Sequence, residues 1–325
     1  MATYKGINGF AVQSVASDPS PLDEGQVWYN NATYAFKLAA LQAAAWSTGG
    51  NLGTGRYNLA GAGTQTSALG FGGYTPGSGT RVLTESYNGT SWTSGGNMAN
   101  TRYGLMGCGA SNTAALAFGG TTFPVSIYSA TESYNGTSWT SGGNMGTGRR
   151  LAGAAGTFTA ALCFGGGPPQ TTATEAYNGT SWTAGGSLNT GKYFTAGSGL
   201  QTAALNFGGS QDPSPTVDLN NTESYNGTSW TAVNTLNTAR QRLSGAGTQT
   251  SSLAFGGSPN NLATESWNGT SWTNQSDLIS GKSNAAGAGS SNTSALVFGG
   301  SPVPTSTSTQ EWNGPSLATK TITTS

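Results

Sequence analysis

The chain has 325 residues, of which only 7% are charged against about a quarter in an average soluble protein, and its 12 basic and 12 acidic side chains cancel. No basic surface is available to hold a phosphate backbone, which excludes nucleic-acid binding, and the absence of histidine removes the commonest general base and the commonest transition-metal ligand together. The aromatic share of 10%, recurring at regular spacing, argues against disorder.

The opening "MATYKGINGFAVQSVASDPSP" has no apolar core of signal-peptide length, and no later window approaches a membrane span. Nothing in it directs the chain to secretion or into a bilayer. Residues 1–24 are polar and proline-containing, and read as an extended arm. "EGQVWYNNATYAFKLA" reads as a hairpin, with Trp28 and Tyr29 facing Phe36 across "NNAT". "LAALQAAA" reads as a short helix or a packed spacer leading to Trp46. Residues 1–45 differ in kind from the rest of the chain, which makes them a candidate attachment module.

From Trp46 onward the chain repeats itself. "FGG" ends at positions 73, 120, 166, 209, 257 and 300, and a tryptophan comes after it at Trp92, Trp139, Trp182, Trp230 and Trp272, with Leu317 in the sixth place. Six units of about 45 residues fill 46–317, leaving a tail of 318–325. Each unit predicts four short strands, which in the first copy are "RYNLAGAG", "TSALGFGG", "TESYN" and "TSWT". Asn-Gly between the last two is the preferred pair for a two-residue type I′ turn, whose central positions both need φ > 0. That turn pairs Tyr87 with Thr90 and Glu85 with Trp92, and places Glu85, Tyr87 and Trp92 on one face of the sheet. Asn-Gly-Thr also fits the acceptor pattern for N-glycosylation, but without a signal peptide the turn reading prevails.

A four-stranded sheet with an aromatic face cannot bury that face alone. Six arranged radially bury each against the next, and a glycine-rich first strand suits the crowded axis. The double glycine at Gly72 and Gly73, followed by Tyr87, Trp92 and a basic residue such as Arg102, resembles the kelch family of β-propellers. The resemblance implies an all-β, six-bladed kelch-like β-propeller of four-stranded antiparallel blades, preceded by the N-terminal arm and hairpin. A ring needs fastening, and two arrangements offer it. The Trp46 strand completes the sheet begun by residues 282–313, or "SLATKTI" supplies its own fourth strand.

The charges track the repeat. Arg56, Arg102, Arg149, Lys192, Arg240 and Lys282 share one position, and Glu85, Glu132, Glu175, Glu223 and Glu265 share another, with Gln310 breaking the series. This ring reads as inter-blade ion pairs fixing the strand starts, in preference to an ion-binding ring.

Loops after the second strand vary in length and chemistry while the scaffold stays constant, which is the layout of a binding surface. Tyr74, Phe123 and Tyr128 offer flat apolar faces there, and Arg81, Gln170, Asp212, Asp218, Asn220 and Asn260 offer hydrogen bonds. The mixture suits a glycan or a protein epitope. Catalysis, metals and cofactors have no support: no histidine-based triad can exist, and Asp212 and Asp218 lie on one loop, a poor place to fix a glycosidase carboxylate separation. Cys108 and Cys163, in "GCG" and "LCF", read as buried thiols.

"MATYKGINGF", the "EGQVWYN" hairpin and the "WSTGGNL", "AGAGTQT" and "FGG" series together resemble virion structural proteins of tailed bacteriophages, of the tail-fibre or tip type. The resemblance implies a non-enzymatic virion protein, assembled in the host cytoplasm and displayed on the particle in several copies. Residues 1–45 would dock on other virion proteins while the loops contact a host surface glycan or protein. A purely architectural component with no host ligand is the alternative.

Overall fold

The computed structural model describes residues 12–123, 126–211, 217–259, 261–301 and 306–323, and among them all regular structure is β, with no helix. The chain divides into two units, one of residues 46–313 and one of residues 1–45 with 314–325. The C-terminal residues therefore group with the N-terminal segment, where the repeat pattern alone suggests a separate tail.

In the smaller unit, Gln13–Val15 runs parallel to Val27–Asn30, which pairs antiparallel with Ala35–Gln42, and that strand pairs with Ser316–Thr321. Tyr29 stands opposite Phe36 with ring centroids 5.1 Å apart, as the hairpin reading expects. Two expectations are corrected. Part of the supposed arm is a strand of this sheet, and the Asp18 carboxylate just beyond it accepts from Trp28 Nε1 at 2.9 Å and Asn30 Nδ2 at 2.8 Å. Bonds from Asn30 and Trp28 hold Asp18 below the usual carboxylate range. "LAALQ" is strand, not helix or spacer: Ala39 registers with Thr319, and a partner strand outweighs the helical preference of Ala and Leu. "MATYKGINGF" lies outside the described residues.

The larger unit holds six four-stranded sheets among the described residues. The first joins Ala60–Thr64, Ser67–Phe71, Thr84–Tyr87 and Trp92–Ser94 in chain order, and the same order recurs over 106–141, 153–185, 196–233 and 244–274. The sixth takes Ala286–Ser291, Ser294–Phe298 and Thr309–Asn313, and its fourth strand is Ala45–Gly49, which carries Trp46. "SLATKTI" belongs to the smaller sheet instead.

The hairpin register differs from the two-residue expectation. Trp92 pairs with Tyr87, Thr93 with Ser86 and Ser94 with Glu85, so Asn88 to Ser91 form the loop. Gly89 has φ +90° but Asn88 is not left-handed, so a type I′ turn is ruled out. The Asn88 side chain closes the loop by accepting from the amides of Thr90 and Ser91, both at 2.9 Å. The shift preserves the aromatic face, because Tyr87 and Trp92 become direct partners with rings 4.9 Å apart.

Cores lie between sheets. One cluster joins Leu69 and Phe71 of the first sheet to Ala115, Ala117 and Tyr134 of the second. Each phenylalanine of "FGG" packs on the tryptophan of the next sheet: Phe71 on Trp139, Phe118 on Trp182, Phe164 on Trp230, Phe207 on Trp272, Phe255 on Trp46 and Phe298 on Trp92, at 4.7 to 5.3 Å. Each indole N–H donates to the threonine opening the third strand of the preceding sheet, as Trp139 does to Thr84 at 2.8 Å and Trp92 to Thr309 at 2.9 Å. The same contact accounts for the small first-strand residues. A Cβ on Gly245 would fall 2.6 Å from Phe207 Cζ.

The charged series is buried, and its geometry corrects the inter-blade expectation. Arg102 donates to the Gly119 and Ala130 carbonyls at 3.0 and 2.7 Å and to Glu132 Oε1 at 2.6 Å, all within one repeat. Arg56–Glu85, Arg149–Glu175, Lys192–Glu223 and Arg240–Glu265 repeat the pair. The link between sheets is the second carboxylate oxygen: Glu132 Oε2 accepts from the Ala99 amide at 2.7 Å, in the segment arriving from the sheet before. In the sixth copy Gln310 keeps that second role, accepting from the Ile279 amide at 2.8 Å, while Lys282 Nζ turns to Gly299 O at 3.0 Å, Ser306 Oγ at 2.7 Å and Ser308 Oγ at 2.6 Å.

With no carboxylate beside it in that set, Lys282 is pulled by burial from 10.5 to about 8. An unfolded lysine keeps its proton to near 10.5, so between those values the unfolded chain binds more protons and stability rises with pH. We expect the thermal midpoint of the native chain to gain on that of Lys282→Met as pH is raised from 8 to 10.5. A pH-independent difference between the two would refute the linkage.

Candidate functional site

After each buried base of the series come two residues that vary from repeat to repeat: Tyr57-Asn58, Tyr103-Gly104, Arg150-Leu151, Tyr193-Phe194, Gln241-Arg242 and Ser283-Asn284. The first of each pair bridges to the residue just after the double glycine, as Tyr57 does to Tyr74, Arg150 to Gly167 and Tyr193 to Ser210. The variable loops and these pairs therefore share one end of the sheets.

The second of each pair is left-handed, with φ from +50° at Asn58 to +59° at Arg242. Its amide donates to the carbonyl of its counterpart in the preceding sheet: Gly104 to Asn58, Leu151 to Gly104, Phe194 to Leu151, Arg242 to Phe194, Asn284 to Arg242 and Asn58 to Asn284, at 2.8 to 3.0 Å. For side chains as large as Leu151, Phe194 and Arg242 this conformation costs about 1–2 kcal/mol each, sustained by the bonds on either side.

Those three side chains converge on a cavity of about 590 Å³. Arg150 and Tyr193 line it beside them, Pro168, Pro169 and Gln170 come from the loop of the third sheet, and Gln211 from that of the fourth. The Arg242 guanidinium lies 4.7 Å from the centre of the Phe194 ring, and Tyr193 and Phe194 have centroids 5.2 Å apart. Arg242 Nε is buried without a hydrogen-bond partner among the described residues. Neither Arg150 nor Arg242 belongs to any of the five ion pairs among the described residues, and no acidic side chain among those residues lines the cavity.

Of the loop residues singled out from sequence, Gln170 lines this cavity. Tyr74 is half-buried against Tyr57 and Tyr103, with centroids 5.4 and 5.6 Å away, and Arg81 Nε bonds Thr75 Oγ1 at 3.3 Å, holding the same loop. Phe123 is 76% exposed, and Tyr128 is half-buried with its amide on the Gly120 carbonyl. Asp218 accepts from Gln241 Nε2 at 2.8 Å, and the Asn220 carbonyl accepts from the Leu236 amide. Asp212 and Asn260 lie outside the described residues. Arg150, Tyr193, Phe194 and Arg242 escape a reading of the sequence because they adjoin the buried bases and look like strand. Their signal is variation at two adjacent positions of an otherwise constant motif.

Both thiols are buried and pushed up by desolvation, Cys163 to about 12, far from nucleophilic. Among the described residues no group of three or more His, Cys, Asp or Glu side chains is placed to hold a metal ion. The chain matches no protein-family model and no curated protein sequence.

Proposed function

We propose that residues 46–313 form a closed six-bladed β-propeller of kelch-like repeats, and that its loop-bearing end is a recognition surface for a glycan or protein on a cell. Closure is supported by three series that return to their starting sheet: the left-handed amides, the indole bonds to threonine and the phenylalanine–tryptophan contacts. The recognition reading is carried by a contrast between the two ends. One end presents residues that differ from repeat to repeat, three of the repeats lining a 590 Å³ cavity, whereas the other is lined mainly by recurring glycine, alanine, serine and threonine. The resemblance to tailed-phage virion proteins supplies the setting, with residues 1–45 docked on the particle and the propeller displayed outward in several copies.

The test is binding of the fluorescently labelled full chain to a panel of intact bacteria, monomeric and artificially multimerised. We expect saturable binding, weakened about tenfold or more by Phe123→Ser combined with Gln170→Ala, and unchanged by Leu200→Ser at the opposite end. No saturable binding across the panel, even for the multimer, would sink this reading and leave a purely architectural virion component.

A further inference from the structure

We propose that the cavity beside Arg150 and Arg242 is a binding site for an acidic saccharide, with the sugar carboxylate taken by the guanidinium groups. The inference deepens the recognition reading above and rests on it. Charge arrangement is the first argument. In a chain whose charges cancel, all five of the Arg/Lys–Glu pairs are buried and internally neutralised, yet two arginines face one cavity without a carboxylate among the described residues. An anion placed in a space that two like charges line is attracted by both.

The geometry narrows the anion. Arg242 is fixed by its left-handed backbone, by its stacking on Phe194 and by burial of Nε, and this leaves the outer guanidinium nitrogens as a planar donor pair matched to a carboxylate. Leu151, Pro168 and Pro169 supply apolar walls suited to the C–H face of a sugar ring, and Gln170 supplies an adaptable donor and acceptor for its hydroxyls. A bare inorganic anion would leave those apolar walls unused, and a neutral sugar would leave two guanidinium groups unpaired.

The experiment is calorimetric titration of the full chain at low and high salt. The probes are a short hexuronic-acid oligosaccharide, an oligosaccharide ending in a nine-carbon acidic sugar, the neutral hexose counterpart and inorganic sulfate. We expect at least one acidic oligosaccharide to bind at least tenfold more tightly than the neutral one and than sulfate, with affinity falling as salt rises. Arg150→Gln is expected to weaken it at least tenfold while leaving the thermal midpoint unchanged or raised, a separation that a merely structural arginine would not give. Arg242→Gln should behave alike in binding, and Arg150→Gln decides the matter if that variant fails to fold. Equal binding of neutral and acidic sugars, sulfate binding as tightly as the tighter of the two acidic probes, an unaffected Arg150→Gln, or no binding of either acidic probe would each overturn the proposal. Saturable cell binding that acidic oligosaccharides do not compete sinks this inference alone. Acidic-sugar binding without any cell binding sinks the surface-recognition reading and leaves the site.

Discussion

Replacing Arg102 with methionine is expected to destabilise the chain by about 3–5 kcal/mol, read as a fall in the urea midpoint of unfolding. The side chain is fully buried and makes three hydrogen bonds, to the Gly119 and Ala130 carbonyls and to Glu132. Its loss strands a carboxylate whose side chain is 1% exposed, takes the side-chain donor from the Gly119 carbonyl, and leaves the Ala130 carbonyl with only the bond from the Gly119 amide. Removing both charges, as Arg102→Met with Glu132→Met, should cost clearly less than the sum of the two single changes, because no unpaired ion remains. The sixth repeat already lives without the carboxylate, Gln310 keeping the bond to the arriving segment while serines solvate the lysine. A loss below about 1 kcal/mol for Arg102→Met would mean that water reaches Glu132 and that the series is not the fastening it resembles.

Phe207→Ala should cost a similar amount, about 3–5 kcal/mol, since it empties a fully buried position shared by two sheets. The ring touches Trp272, at 5.0 Å between centroids, and covers the backbone of Gly245. Gly245→Ala forces a methyl into that ring, at a cost of about 1–3 kcal/mol. Combined with Phe207→Leu, which gives up the outer edge of the ring, Gly245→Ala should cost markedly less than it does alone. Strict additivity in that double-mutant cycle would refute direct packing of the one on the other.

The scaffold is legible in the sequence because its determinants are local and repeated. Phe207, Trp272 and Gly245 each recur at fixed spacing, and their contacts are the same contact made over again. The hairpin register is hidden at Asn88 because Asn-Gly satisfies two turn types, and an asparagine side chain reaching the amides of Thr90 and Ser91 leaves no trace in residue order. "LAALQ" misleads for a different reason, since its partner Ser316–Thr321 is far along the chain and propensity knows nothing of it. The cavity is hidden by adjacency. Arg150 and Arg242 stand one and two places after bases that are wholly structural, and only the bonds that throw Leu151, Phe194 and Arg242 into the left-handed region reveal that the chain leaves the strand there.

The fourth strand of the last sheet has a consequence in time. A ribosome releases Ala45–Gly49 before any of the repeats, yet the strands it joins, Ala286–Ser291 through Thr309–Asn313, follow the five other sheets in chain order. Every other sheet of the larger unit can be completed as its own four strands leave the exit tunnel. This one waits through the synthesis of five others with an unpaired edge, the kind that recruits wrong partners. A nascent chain stopped short of residue 309 carries five complete sheets and a tryptophan-bearing strand whose partner has not been made, which leaves that edge open to the wrong one.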